Sequence, residues 1–143
     1  MLAVTRTFEW DSAHRLLDHE GQCRSLHGHR YRAEISFRTT TMDKLGRVID
    51  FGKLKAVIKA WIDEQWDHTT IVENRDTDLL DFVYEQRRKT GSKPAYAMTG
   101  PPTAELMAKE LCEMAQELMN PFKVKVVRVK LYETPKCSAT YEP

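Results

Sequence analysis

From His27 to Arg38 the chain alternates residue by residue. His27, His29, Tyr31, Ala33, Ile35 and Phe37 fall on one parity; Arg30, Arg32, Glu34, Ser36 and Arg38 fall on the other. A run of period two is a strand with one face buried and one face wet. No other feature constrains the fold as strongly, because such a strand needs paired neighbours and a layer over its apolar side. It also puts His27 and His29 on the buried side, since residues two apart in a strand share a face.

Residues 3–14 alternate too. Val4, Phe8 and Trp10 lie on one parity, with Arg6 interrupting, and Thr5, Thr7 and Glu9 on the other. His14 shares the parity of Phe8 and Trp10. Residues 15–26 have no period; Asp18, Glu20-Gly21 and Ser25 mark a loop, which carries His19 and Cys23. Antiparallel pairing across this loop would bring His14 to His27 and His29. Three imidazoles and one open position is the layout of a catalytic zinc, though iron and nickel also take imidazole. Two histidines on one strand also occur as hydrogen-bonded core residues, so spacing alone leaves both possibilities open. A cation there would favour the Cys23 thiolate, as ligand or as base. His19, among polar neighbours, is expected at the surface or just outside the site.

The middle of the chain reads as helical. Residues 39–47 form a turn region, and Val48–Phe51 a short extended piece. Leu54, Val57, Ile58, Trp61 and Ile62 give a helix over about 52–65, with Asp50 as its cap or as an acid of its first turn. Asp67-His68 follows. An adjacent acid and imidazole converge only in a turn, where the carboxylate can set the ring's tautomer and raise its basicity. Thr69–Val72 leads away. A weaker helix runs from Asp76 or Thr77 to Thr90, stopped by Gly91. Residues 91–102 hold three prolines and two glycines and read as a loop. Thr103 caps a third helix with Met107, Leu111, Met114, Ala115 and Leu118 as its buried stripe, ended by Asn120-Pro121. The methionines are core residues, and Cys112 a buried structural thiol.

Residues 122–133 are expected to be the longest strand. Val124 and Val126 take one parity, Val127, Val129 and Leu131 the other, so the strand has a bulge or both faces covered. Glu133 continues the apolar parity and needs a partner, because a bare buried carboxylate is costly. Pro135 ends the ladder, and Ser138–Tyr141 is a short last strand. The order strand, strand, three helices, strand, strand predicts an α+β domain, an antiparallel sheet covered on one face by helices.

Composition narrows the function. The 143 residues suit one domain, 1–143. Lys plus Arg is 22 against 21 for Asp plus Glu, with no basic stripe, so nucleic acid is not an expected partner. Arg87-Arg88-Lys89 reads as solvated surface. Three cysteines without CxxC pairs argue against a disulfide scaffold or a four-cysteine zinc knot and suit a reducing compartment. The N-terminus turns polar too soon for a signal peptide, and no apolar run is long enough to span a membrane. A cytoplasmic protein is expected.

With these residues in view, Cys23-Arg24-Ser25-Leu26-His27-Gly28-His29 resembles the Cys-x-x-x-His-Gly-His motif of the 6-pyruvoyl-tetrahydropterin synthase family, nearest its 6-carboxy-5,6,7,8-tetrahydropterin synthase branch. Phe8–His14, Gly46–Phe51, Asp67-His68, Pro102–Glu105 and Glu133-Thr134 resemble further family segments, in family order. The resemblance implies a tunnelling fold: a four-stranded antiparallel sheet with two long helices on one face, here with a short extra helix. It implies that subunits join sheet edges into a trimer or hexamer with sites between chains. It implies zinc on His14, His27 and His29, and a proton relay of Cys23, Asp67 and His68. Glu133, with Thr134 beside it, would hold the pterin edge. The substrate implied is 7,8-dihydroneopterin triphosphate, cleaved in the carboxy branch to a 6-carboxy pterin, acetaldehyde and triphosphate. Arg15, Arg24 and Lys136 are candidates for the triphosphate. The three-residue gap between Cys23 and His27 favours the carboxy branch. The alternatives are a pyruvoyl-type synthase, an aldolase-like side-chain cleavage, or a pterin-binding protein without turnover. The chain departs from the family at Thr69-Thr70-Ile71, where a further polar residue and Leu-Asn are usual, and in the longer segment from about 73 to 100.

Overall fold

The computed structural model describes residues 2–143. Six strands, β1 (Val4–His14), β2 (His27–Arg38), β3 (Thr69–Glu73), β4 (Tyr96–Met98), β5 (Lys125–Thr134) and β6 (Cys137–Tyr141), form one sheet in the order β4-β3-β1-β2-β5-β6. The pairs β1–β2, β2–β5 and β5–β6 are antiparallel; β1–β3 and β3–β4 are parallel. The expected four-stranded antiparallel sheet is therefore present as β1-β2-β5-β6, but two short parallel strands extend it beyond β1. Neither strand carries a periodic signature in the sequence. In β3, Thr69, Ile71, Val72 and Glu73 are all buried, so no alternation shows. In β4, three residues sit between Pro94 and Pro101-Pro102, and the prolines mask them.

The first helix runs through Phe51–Leu54, a π-helical turn Lys55–Lys59 and Ala60–Gln65 without a break. Asp50 caps it, its carboxylate accepting from the Gly52 N–H at 2.7 Å. Phe51 thus opens the helix, and the extended piece expected over Val48–Phe51 is not a strand. The third helix, Ala104–Met119, is capped by Thr103. Leu54, Ile58 and Ile62 of the first helix and Met107, Leu111, Ala115 and Met119 of the third meet Phe8, Trp10, Tyr31, Ile35 and Phe37 in one core. Truncating such a residue, Leu111 for example, to alanine costs about 2–5 kcal/mol. Met114 and Leu118, expected in the buried stripe, are only half-buried; Ala108 and Cys112 lie inside instead. Burial pushes the Cys112 thiol up to about 11.

The second helix, Thr77–Thr90, is 14 residues long, close to its neighbours and not the short extra expected. It ends at Gly91, which takes φ 72° and donates to the Arg87 carbonyl at 2.8 Å. Its Leu79 and Val83 pack with Val72 in a separate cluster, whereas Ile71 belongs to the main core. Successive strand residues point to opposite faces, so this helix covers the far side of β3.

The parity change in β5 is a bulge. Ser36 pairs with Arg128 but Phe37 with Val126, leaving Val127 as the extra residue. Val126 and Val129 can then both face the core, and Leu131 and Glu133 follow on that side. At 10 residues β5 is shorter than the 12 of β2, because Asn120–Phe122 form a 3-10 turn and Lys123 takes φ 55° before the strand begins.

Candidate active site

The β1–β2 register decides the centre. Ten ladder pairs below Val4↔Phe37, His14 stands opposite His27, with Ser12 opposite His29. Gly28 lies between them in close quarters: a Cβ there would sit 3.3 Å from the Ser12 carbonyl oxygen, a tight contact against backbone.

The three imidazoles converge. His14 Nε2 and His27 Nε2 lie 3.1 Å apart. His14 Nδ1 sits 2.8 Å from the Pro102 carbonyl, and His27 Nδ1 2.6 Å from the Ser25 carbonyl. A carbonyl only accepts, so each Nδ1 carries the proton and each Nε2 presents a lone pair. Two facing lone pairs repel unless a cation joins them. Two nitrogens on one tetrahedral zinc would be roughly 3.3 Å apart, close to the spacing seen. His29 Nε2 is buried without a hydrogen-bond partner, and one nitrogen from each ring lies within 4.8 Å of the others. Burial, above all, lowers the pKa of His14 and of His29, which keeps both rings neutral as metal ligands must be. The cluster can hold a metal ion.

Its surroundings are specific. Glu133 Oε1 is 3.3 Å from His29 Nε2 and Oε2 is 4.0 Å from His14 Nε2. Its parity thus brings the carboxylate to the edge of the histidine cluster. The Tyr31 hydroxyl lies 3.3 Å from His14 Nδ1. Burial, then Glu133 and Cys23, push its pKa far above the ordinary phenol value, so it stays a neutral phenol. Cys23 stands outside the histidine group. It sits in a 3-10 turn, Gln22–Arg24, and lines a cleft of about 760 Å³ with Arg24, Ser25, His27 and His29.

Asp67-His68 lies elsewhere. The residues converge as a turn allows: His68 takes φ 56°, and its Nδ1 is 2.9 Å from Asp67 Oδ2. Asp67 Oδ1 accepts from the Asp11 N–H at 3.0 Å, and the His68 N–H donates to the Asp11 carbonyl at 2.7 Å. Burial alone would raise the Asp67 pKa, but the Asp11 N–H and the His68 ring outweigh it and hold the carboxyl low. His68 is 73% exposed at its side chain. It lines a different cleft, about 470 Å³, with Ser12, Ala13, Gly28, His29 and Arg30. One chain therefore does not place Cys23 and the Asp67–His68 pair in the same cleft; His29 lies between the two.

Among the other expected residues, Thr134 sits at the end of β5, where its hydroxyl oxygen accepts from the Lys136 N–H at 3.3 Å. Lys136 and Arg24 are exposed. Arg15 is not free for a phosphate: it is clamped bidentately on Asp76, both contacts at 2.6 Å. His19 holds its own loop, Nδ1 accepting from the Gly21 N–H at 2.8 Å. The Pro102 and Ser25 carbonyls, which orient two of the rings, had no sequence signal, because any residue supplies a carbonyl.

Residues 3–143 match the 6-pyruvoyl tetrahydropterin synthase family. The chain belongs to that family. It is 41% identical over 138 residues to the 6-carboxy-5,6,7,8-tetrahydropterin synthase of Rickettsia conorii, covering 96% of this chain and 97% of that one. The synthase of the same name from Rickettsia felis is 42% identical over 138 residues, with the same coverage. Among solved structures, an uncharacterized protein of Wolinella succinogenes superimposes with a TM-score of 0.81 at 23% identity, covering 99% of this chain and 97% of that one. The Caenorhabditis elegans 6-pyruvoyl tetrahydropterin synthase does so with a TM-score of 0.68 at 26% identity, covering 99% and 95%. The tetrahydropterin synthase fold is thus an α+β sheet-and-helix unit, with the sheet mixed in this chain. No helix among the described residues is long and apolar enough to cross a membrane.

Proposed function

We propose that this chain is a zinc-dependent lyase that converts 7,8-dihydroneopterin triphosphate and one water to 6-carboxy-5,6,7,8-tetrahydropterin, acetaldehyde and triphosphate, a step toward queuosine or a related 7-deazapurine. The observation that carries it is the convergence of His14, His27 and His29 on one point beside Cys23 and Glu133. It occurs in a chain similar along its whole length to 6-carboxytetrahydropterin synthases.

His14, His27 and His29 would hold the ion through Nε2. When bound, zinc supplies Lewis-acid polarisation of substrate oxygens. Glu133 accepts two hydrogen bonds from the 2-amino-pyrimidinone edge, an acceptor pair facing a donor pair, with Thr134 supporting it from the end of β5. Cys23 exchanges protons with the substrate side chain from the cleft it shares with His27 and His29. Asp67 holds His68 by Nδ1 and leaves Nε2 free to take or give a proton. Arg24, on the Cys23 cleft, and Lys136, on the β5–β6 turn, are the cations offered to the triphosphate.

Cys23 and His68 line different clefts, which favours a site shared between subunits. We therefore infer a trimer, or two stacked trimers, in which sheet edges β4 and β6 pair with neighbours and leave no open edge. Free Cys23, Cys112 and Cys137 suit the reducing cytoplasm.

Product identification tests the proposal. Zinc-loaded protein incubated with 7,8-dihydroneopterin triphosphate should give acetaldehyde and a 6-carboxy pterin. A pterin that keeps its three-carbon side chain, or a 6-hydroxymethyl pterin, would assign a sister activity on the same site. No turnover with tight pterin binding would remove the enzyme assignment.

A further inference from the structure

The longer segment after β3 is tied to the loop that carries Cys23. Asp76 precedes the second helix, is 4% exposed, and caps that helix by accepting from the Leu79 N–H at 3.2 Å. The same carboxylate takes both arms of the Arg15 guanidinium at 2.6 Å. Arg15 is followed by Leu16, whose N–H donates to the Cys23 carbonyl at 2.8 Å. A second tie runs parallel. Arg75 donates to Asp18 of the same loop at 2.8 Å and also to Glu73, which is 6% exposed at the end of β3. Asp18 itself takes φ 63°, a left-handed bend that aspartate tolerates better than most residues. Apart from these ties, the loop between Arg15 and Leu26 is held by the Leu16–Cys23 and His19–Leu16 bonds, the Gly21–His19 bond, the Ser25 carbonyl against His27 and a single 3-10 turn, and none of its residues is fully buried.

We infer that Asp76 is a positioning residue for Cys23, acting through the Arg15 fork and the Leu16 N–H, so that the extra helix sets the place of the thiol. A bidentate carboxylate–guanidinium pair with its carboxylate buried has one geometry and few alternatives. It converts a loop with little packing of its own into a rigid arm. The inference rests on the proposed role of Cys23 in turnover, and the two can fail separately.

Asp76→Asn is the variant of choice, because asparagine caps a helix as well as aspartate but cannot pair ionically with Arg15. Cys23 alkylation by iodoacetamide, followed by mass spectrometry of its peptide, reports thiol placement without needing catalysis. In Asp76→Asn this rate should rise severalfold, and kcat should fall on the order of tenfold to a hundredfold, with KM and bound zinc unchanged. Arg15→Lys keeps the charge and loses the fork, and should give an intermediate result; it also serves if Asp76→Asn fails to fold. Unchanged alkylation in both variants would overturn the inference, whatever happens to kcat. So would faster alkylation with kcat unchanged, when Cys23→Ala itself is inactive. If Cys23→Ala is fully active while alkylation still rises in Asp76→Asn, the tie stands and the catalytic role of Cys23 falls.

Discussion

The histidine cluster and the Asp67–His68 pair show two ways of building a reactive imidazole. His14 is buried, packed by Tyr31 and hydrogen-bonded by a backbone carbonyl. It and its two partners occupy ladder positions that the β1–β2 register sets. His68 is exposed, on a left-handed residue, and its one side-chain partner is the residue before it. The first site is complete within one chain. The second presents an oriented imidazole that no element of its own chain covers. The histidine cluster takes its geometry from strand pairing, whereas the exposed His68 ring is held on a turn by the residue beside it.

Four substitutions and one pH series break or sharpen this contrast. The largest effect belongs to His14→Ala, which should leave bound zinc below about a tenth of the native content and abolish turnover, since a three-ligand site loses its buried member; metal analysis by mass spectrometry decides it. His68→Ala should reduce kcat by about 10²–10⁴-fold while zinc content stays native, and a loss of metal there would erase the distinction. Mixing inactive Cys23→Ala with inactive His68→Ala, after dissociation and reassembly, should restore about a quarter of native activity if each site draws on two chains. No recovery would place the thiol and the imidazole in one subunit's site. Glu133→Gln should weaken pterin binding by about 10–100-fold with the metal retained, the cost of a charge-assisted pair; calorimetry on the zinc-loaded protein measures it.

The smallest effect is on stability. His14 and His29 have pKa values lowered below 6.5 in the folded state. Below about pH 6.5 the unfolded chain takes up protons that the folded metal-free protein does not, so stability is full above that pH and is lost as pH falls. Asp67 and Asp76 are also lowered, from 3.8, and their contributions persist until the solution is far more acidic. The urea midpoint of metal-free protein should therefore drop between pH 7.5 and 5.5 through the histidine cluster alone, and His14→Ala should flatten that drop.

Much of the site was legible because strand periodicity is local. His27 and His29 declared their face through Tyr31, Ala33, Ile35 and Phe37, and His14 through Phe8 and Trp10. Glu133 declared its need for a partner by parity with Val129 and Leu131. The bulge at Val127 was visible as a parity change. Strands β3 and β4 were not visible, because one is buried on both faces and the other is three residues flanked by prolines. Arg15 reads as a candidate for the triphosphate but is paired with Asp76, because a sequence shows a charge and not what neutralises it. Asp76 lies 61 positions away from it.

By itself, then, the sequence determined which residues share a face: alternation, caps at Asp50 and Thr103, and the Gly91 stop are properties of neighbours within a few positions. Only the tertiary structure decided who meets whom across the chain. It set His14 opposite His27 in the ladder, turned two ring nitrogens to the Ser25 and Pro102 carbonyls, carried the second helix to the far face of β3, and closed Arg15 on Asp76. Those contacts depend on register, chain reversal and the packing of distant segments, and backbone carbonyls and ion-pair partners leave no periodic trace in the order of residues.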